Sequence, residues 1–114
     1  MQSRNQKRLH RKKRVRAKVF GTQLRPRLTV FRSLKAVYAQ LIDDENGKTL
    51  CQFNSAMIKG KKNNLLSAEK VGTELAKIAV SQGIKQVVFD RSGYRYLGKI
   101  KALAEGARKG GLDF

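Results

Sequence analysis

The sequence holds few of the residues that build disulfide scaffolds and most active sites. Its 114 residues include one cysteine (Cys51), one histidine (His10), one proline (Pro26) and no tryptophan. A single cysteine excludes an internal disulfide and fits a reducing compartment. No run of eighteen apolar residues occurs, and no apolar block follows the basic N-terminus. We therefore expect neither a membrane span nor a secretory signal.

Acidic residues are scarce as well, and they are unevenly placed. Eight Asp and Glu stand against 26 Lys and Arg, which gives a net charge of +18. The first acidic residue is Asp43, so residues 1–42 carry thirteen basic side chains and no acidic one. Such self-repulsion opposes folding, and a phosphate polyanion relieves it through counterion release. The charge predicts a nucleic-acid-binding protein, with a charge-only binder of nucleic acids or anionic membranes as the alternative.

Charge also divides the chain into two parts. We interpret residues 1–22 as a basic RNA-binding arm and residues 23–114 as a single α/β domain. Nine of the first twenty residues are Lys or Arg, with few apolar residues between them. Ser3 can cap a helix, but like charges at helical spacing oppose one in free solution. We therefore expect an arm that is disordered alone and becomes helical when phosphates neutralise it.

The domain reads as a small mixed sheet with helices packed against it. Asn46-Gly47 is a strong hairpin signal, although a two-residue turn and a longer acidic loop predict different strand registers. The helix between the third and fourth strands acts as a crossover, and Leu112 and Phe114 can anchor the end of the chain. In chain order the predicted elements are strands over 27–32, 36–42 and 49–53, a helix from Ser67 to Gly83, a strand over 84–89 that is parallel to its neighbour, and a helix from Gly98 to Gly110.

No constellation of catalytic or metal-binding residues is visible. His10 lies inside the cationic arm, and Cys51 falls in a predicted strand, where a packed core position is expected. Asp43, Asp44 and Glu45 could suggest a divalent-metal cluster, but three consecutive side chains diverge, so we predict a solvated turn. No phosphate-binding loop or dinucleotide fingerprint occurs. We predict no enzyme, no metal and no cofactor.

Two segments carry the residue types of an RNA contact, and the first spans residues 24–33. Arg25 and Arg27 begin a strand whose alternate residues are expected to be buried, and Arg32 and Lys35 lie at its far end. A rigid strand would fix the positions of the guanidinium groups, which can bind phosphates through two hydrogen bonds or stack on bases. The same charges would also protect an edge strand from pairing, and both roles can hold together.

The second segment spans residues 89–101 and joins the buried strand to the last helix. Tyr94 and Tyr96 supply flat rings, which either stack on bases or simply cover the core. Ligands of open α/β sheets bind beyond the carboxyl ends of the strands, which is where this loop lies. The basic residues interleaved with the tyrosines are Arg91, Arg95, Lys99 and Lys101.

Several spaced blocks of this chain resemble the bacterial large-subunit ribosomal protein L-eighteen family. The resemblance runs in order over essentially all 114 residues, from the basic arm to the Gly-Leu-Asp-Phe ending. A departure is Leu97, where family members often carry histidine, so no contact of that histidine carries over. The blocks are Arg-Pro-Arg-Leu-Thr-Val-Phe-Arg-Ser at 25–33, the strand at 38–44, Phe-Asp-Arg-x-Gly-Tyr-x-Tyr at 89–96 and the helix at 101–108.

The resemblance implies a ribonuclease-H-like α/β fold without catalysis. It also implies a cytoplasmic protein of the large ribosomal subunit that binds 5S rRNA and helps attach it to 23S rRNA in the central protuberance, near ribosomal protein L-five. No small-molecule substrate and no membrane partner are implied. Carried over by position, the candidate RNA-binding residues are Arg4, Lys7, Arg8, Arg11, Lys12, Lys13, Arg14, Arg16, Lys18, Arg25, Arg27, Arg32, Arg91, Tyr94, Arg95, Tyr96, Lys99 and Lys101.

Overall fold

The computed structural model describes residues 3–16, 19–58, 60 and 63–114, without the side chains of residues 12 and 14–16. Four strands form one sheet in the order β3-β2-β1-β4, antiparallel except for the parallel pair β1–β4. The predicted α/β fold with a small mixed sheet is confirmed. The elements are α1 Arg4–Arg16, β1 Arg27–Arg32, β2 Val37–Asp43, β3 Lys48–Asn54, a 3-10 turn Ser55–Met57, α2 Leu65–Ser81, β4 Val88–Asp90 and α3 Gly98–Lys109.

The core lies between one face of the sheet and the helix pair α2–α3. Leu28 and Val30 of β1 are buried, whereas Thr29 between them is half-buried and Phe31 is exposed, as expected when a strand buries one face. Leu75 of α2 and Leu103 of α3 are fully buried against this face. Cys51 is buried in β3, as predicted. In the part of the chain that is described, no helix is both long and apolar enough to cross a bilayer.

The turn between β2 and β3 resolves the register that the sequence left open. Four residues, 44–47, form the turn, and Gly47 takes the positive φ of 63° that the reversal requires. Asp43 is 1% exposed and accepts hydrogen bonds from the backbone N–H groups of Glu45 and Asn46. The prediction of a solvated acidic turn is wrong for Asp43, because these turn N–H groups need a buried acceptor. It is also wrong for Asp44, whose side chain is 14% exposed and lies 2.9 Å from the guanidinium group of Arg27.

Two predicted elements, α2 and β4, differ from the structure by two residues or more at one end or both, whereas the bounds of the other predicted elements agree to within one residue. Helix α2 begins at Leu65 rather than Ser67, because Asn64 and Ser67 form a reciprocal capping box with distances of 2.8 and 2.9 Å. The parallel strand is confined to Val88–Asp90, shorter than predicted. The residues before it pair instead with the end of the chain, where the N–H of Val87 donates to the carbonyl of Asp113 at 3.1 Å. Leu112 is buried beside this pairing, which confirms the predicted terminal anchor.

Helices α2 and α3 meet backbone to backbone. A β-carbon on Gly106 would overlap the carbonyl of Glu69, and one on Gly72 would overlap the carbonyl of Leu103. The Thr73 hydroxyl lies within hydrogen-bonding distance of the carbonyls of both Glu69 and Gly106, at 3.0 and 3.3 Å. Only glycine fits at such a close approach, so this pair forms a rigid layer behind the sheet.

Arg27, predicted to bind RNA, is buried and joins three segments of the domain. Its Nε and Nη2 donate to the two carboxylate oxygens of Asp44 at 2.9 and 3.0 Å, and its Nη1 donates to Asp90 at 2.8 Å. Burial by itself lowers the pKa of Arg27, but the hydrogen bonds and charges of Asp44 and Asp90 outweigh it and raise that pKa. Asp44 also accepts the N–H of Gly21 at 2.7 Å. We call Arg27, Asp44 and Asp90 the arginine clamp.

We expect the substitution Arg27→Met to destabilise the domain by about 3–5 kcal/mol, because it leaves two carboxylates without their buried partner. Urea unfolding followed by circular dichroism measures this loss. Lys77→Met is the matched control, since the Lys77 side chain is 64% exposed and its pair with Glu74 is on the surface. A surface pair contributes about 0–1 kcal/mol. Equal losses in the two variants would contradict a stabilising clamp.

Candidate nucleic-acid interface

The loop after β4 is shaped by the end of the strand. Asp90 is fully buried, and its second carboxylate oxygen accepts the N–H of Ser92 at 2.9 Å. Ser92 has a positive φ of 55°, an uncommon conformation for a residue with a β-carbon, and Gly93 follows at 79°. The Ser92 hydroxyl also pairs with that of Thr29 on β1 at 2.9 Å. These contacts turn the chain sharply and present its next residues at the sheet edge.

Tyr94 is held by the end of β1 and flanked by two guanidinium groups. Its hydroxyl lies 3.2 Å from the N–H of Arg32, from which it accepts, and 3.3 Å from the carbonyl of Arg32. The guanidinium carbons of Arg8 and Arg32 lie 4.7 and 5.4 Å from the ring centroid, within cation–π range. Tyr94 therefore anchors two arginines beside the loop and does more than cover the core.

The basic arm docks on this loop as a helix. Ser3 and Gln6 form a capping box, with distances of 2.8 and 3.1 Å, at the start of α1. Arg8 Nη1 donates to the carbonyl of Ser92 and Arg11 Nε donates to that of Gly93, each at 2.9 Å. That phosphates order the arm stays a prediction. The hydrogen bonds to the loop carbonyls are a second way in which the arm can become ordered. These contacts could not be predicted from the sequence, because every residue has a backbone carbonyl and the residue type does not show which carbonyl accepts a hydrogen bond.

Between α1 and the domain runs a groove of about 860 Å³, which we call the basic groove. Phe31, Tyr94 and Leu97 contribute its apolar surface, so Leu97 takes part in the wall. None of the described residues that line the groove is acidic. Guanidinium and ammonium groups converging around flat rings suit a phosphate backbone with accessible bases. The basic residues that line it are Arg4, Lys7, Arg8, Arg11, Arg32 and Arg95.

Other predicted residues lie at the margins of this groove or away from it. Arg25 is exposed in the turn before β1, and Arg91 is half-buried at the start of the loop. Lys99 is half-buried in the first turn of α3, and Lys101, two residues further on, is exposed and lies 3.9 Å from Glu105. Lys13 is exposed on α1. The side chains of Lys12, Arg14 and Arg16 and all of Lys18 lie outside the described residues.

Tyr96 and Arg27 have contacts within the protein. The ring of Tyr96 packs edge-on against Phe89, with centroids 6.2 Å apart. Its hydroxyl accepts from Arg108 Nη1 at 2.9 Å, which ties the loop to α3. For Tyr96 the covering role predicted as the alternative fits these contacts better than base stacking. Arg27 is enclosed in the arginine clamp, where its donors already have carboxylate partners.

Each acidic side chain of α2 and α3 lies beside a lysine, and Glu105, the most exposed of the three, lies 3.9 Å from Lys101. Glu69 lies 2.8 Å from Lys109, and Glu74 lies 3.4 Å from Lys77. The carboxylates nearest the interface, Asp44 and Asp90, are enclosed with Arg27. The described cations of α1 and the loop therefore face outward with little opposing charge. Like charges focused on one side draw a polyanion to that side.

Cys51 is the single thiol of the chain, and it is buried in β3. Burial raises the pKa of the Cys51 thiol to about 11, so the thiol is protonated at neutral pH and is a poor nucleophile. Within the residues that the structure describes, no three His, Cys, Asp or Glu side chains are grouped to hold a metal ion. The described residues of the basic groove offer positive charge, flat rings and hydrogen-bond donors, which are groups that bind a ligand.

Comparison with known proteins identifies the family. Residues 2–114 match the model of the family described as ribosomal L18 of archaea, bacteria, mitochondria and chloroplast. The large ribosomal subunit protein uL18 of Chloroherpeton thalassium is 57% identical over 109 residues, covering 90% of this chain and 89% of the relative. That of Thermotoga neapolitana is 50% identical over 99% of this chain and 97% of its own length. That of Porphyromonas gingivalis is 54% identical over the full length of both.

A match along nearly the whole chain, with relatives at 50% identity or more, agrees with the resemblance carried by the arm, the first strand and the loop. The chain belongs to the ribosomal L18 (uL18) family.

Proposed function

We propose that the chain is a structural protein of the large ribosomal subunit in the bacterial cytoplasm. It binds 5S rRNA and helps attach it to 23S rRNA in the central protuberance, beside ribosomal protein L-five. It performs no catalysis and takes no small-molecule substrate. The relatives are named as large-subunit proteins, and the geometry of this chain is that of a binder.

The basic groove carries this proposal. It brings basic residues from α1, from the end of β1 and from the loop after β4 around the ring of Tyr94. These three segments are far apart in sequence, so a merely basic composition would not place them together. The loop is held by Asp90, and α1 is held by the loop, so the donors are arranged before RNA arrives. Such preorganisation favours one shaped RNA over others.

The arm has two sides, and we assign each to a different RNA. Arg8 and Arg11 face the loop and complete the groove that takes 5S rRNA. Lys13 follows Arg11 by two residues, which places it roughly on the opposite side of a helix with 3.6 residues per turn. Its exposed ammonium group is therefore turned away from the groove. A second RNA segment, from 23S rRNA, can bind there while 5S rRNA occupies the domain.

The proposal requires selectivity as well as affinity. We expect the purified chain to retain 5S rRNA in the presence of excess transfer RNA, because a preorganised site distinguishes shapes that charge alone does not. Gel-shift competition at moderate salt measures this. Complete displacement by an equal mass of transfer RNA would show a charge-only binder and refute the 5S assignment.

We expect Arg95→Ala to weaken 5S rRNA binding with the fold intact, because Arg95 is exposed and lines the basic groove. Loss of one phosphate contact lowers the slope of log affinity against log salt by roughly 0.9 on a duplex. Lys77→Ala removes the same charge from the helical side and is the control. Equal effects of the two substitutions would show that net charge, and not the groove, determines binding.

We expect deletion of residues 1–20 to weaken the joining of 5S rRNA to 23S rRNA more than it weakens binding to isolated 5S rRNA. The deletion removes every contact on the outer side of the arm, whereas in the basic groove it removes the cations of the arm but leaves Arg32, Tyr94 and Arg95 of the domain in place. Sedimentation of reconstituted complexes measures the first quantity, and filter binding measures the second. Equal losses in both assays would contradict the assignment of the arm to a second RNA.

A further inference from the structure

The face of the sheet opposite α2 and α3 carries a pair of exposed aromatic rings. Phe31 of β1 and Tyr38 of β2 are direct cross-strand partners, with ring centroids 5.9 Å apart and planes tilted by 47°. Phe31 is 51% exposed and Tyr38 is 37% exposed. Neither ring belongs to the core cluster on the other face. The pair thus offers flat apolar surface to the solvent on the two central strands, near the end where β1 turns into β2.

Side-chain amides lie beside the rings on the same face. Gln40 follows Tyr38 by two positions along β2, and its register partner on β3 is Gln52. The Gln40 amide nitrogen lies 3.4 Å from the Gln52 amide oxygen. Amide groups carry both donors and acceptors, so they can complement the edge of a base. The open face therefore combines stacking surface with groups that match the hydrogen-bonding pattern of a nucleobase.

A hollow of about 520 Å³ lies over this face and is walled by the arm. Thr29, Phe31, Tyr38 and Gln40 line it, and Arg8 closes one side. Its size is within the range of sites that enclose small organic groups. Arg8 and Phe31 also line the basic groove, so the two depressions are continuous. A phosphate chain in the basic groove would carry its bases toward the rings.

We propose that this open face is a stacking site for unpaired nucleobases of the bound RNA. Phe31 and Tyr38 take the bases, Arg8 holds the adjoining phosphate, and Gln40 binds a base edge. In a stem the bases are stacked on one another and cannot reach a flat side chain, whereas bases in loops and bulges can. The site therefore selects looped or single-stranded segments. This inference rests on the proposed function, since it assumes that RNA is the ligand.

The charge around the hollow favours RNA over an apolar peptide. The described residues that line the hollow include two arginines and no carboxylate. Arg27 at its margin is already neutralised by Asp44 and Asp90, so Arg8 is the cation that can bind a ligand there. A guanidinium beside exposed rings matches the alternation of phosphate and base along a single strand.

The test uses the full chain with two RNA probes. One is an unstructured oligo-A about ten nucleotides long, and the other is a fully paired stem with the same number of phosphates. We expect the double variant Phe31→Leu/Tyr38→Leu to bind oligo-A about ten-fold more weakly or worse, while the stem changes little, because leucine keeps apolar bulk and removes the ring. The ring-preserving variant Phe31→Tyr/Tyr38→Phe should bind like the wild type.

Leu34→Ala is the matched control, because Leu34 is fully exposed on the loop that joins β1 to β2. It should change neither affinity. Circular dichroism melts establish that each variant is folded, and should the double variant unfold, Phe31→Leu alone carries the test because half of its ring is exposed.

The outcomes separate this inference from the proposed function. If the double variant binds both probes as the wild type does, the stacking site is overturned. This is the result expected if the open face binds a protein partner instead. An equal loss on both probes overturns it as well, because the rings would then act only through structure. In either case a wild-type chain that still prefers 5S rRNA leaves the proposed function standing. A wild-type chain without that preference overturns the proposed function itself.

Discussion

The guanidinium group of Arg27 links the interior of the domain to the loop on which the arm docks. It binds Asp90, whose other oxygen holds the N–H of Ser92 and so sets the turn of the loop. The carbonyls of that turn receive Arg8 and Arg11 of the arm. Each contact depends on the one before it, because a displaced carboxylate would release the turn. A buried ion pair is weak evidence for stability in general, but here it also determines where the surface cations lie.

A net charge of +18 means that the cations of this protein repel one another strongly. In the described part of the chain, cations that have an acidic partner and cations that have none lie in different places. The helical side carries Glu69 and Glu74, each beside a lysine, while the opposite side carries unpaired cations set among rings. Repulsion is thus concentrated where a polyanion will cancel it. Helix α2 carries two lysines and two glutamates, so its burial of apolar side chains against the sheet is not opposed by a net charge of its own.

Much of the fold was predictable because alternation and helical spacing report burial directly. Leu28 and Val30 alternate with outward residues, and the first strand was placed without error. The burial of Arg27 was not predictable, because its partners lie far along the chain and arginine is mostly found on surfaces. The docking of α1 was missed because it uses backbone carbonyls. Which of the alternate residues of β1 are exposed, Phe31 among them, follows only from which face of the sheet the helices cover.

The arm docks on the carbonyl groups of Ser92 and Gly93, and this docking responds to ionic strength in the opposite way to the binding of RNA. Contacts between a guanidinium and a carbonyl dipole act at about 3 Å, far inside the roughly 10 Å over which 0.1 M salt screens charge. Electrolyte therefore leaves them intact and weakens the mutual repulsion of the arm and loop cations. Contacts to phosphate lose affinity under the same conditions. At high salt concentration we therefore expect nucleic acid to dissociate from the protein, while the arm binds its loop more tightly.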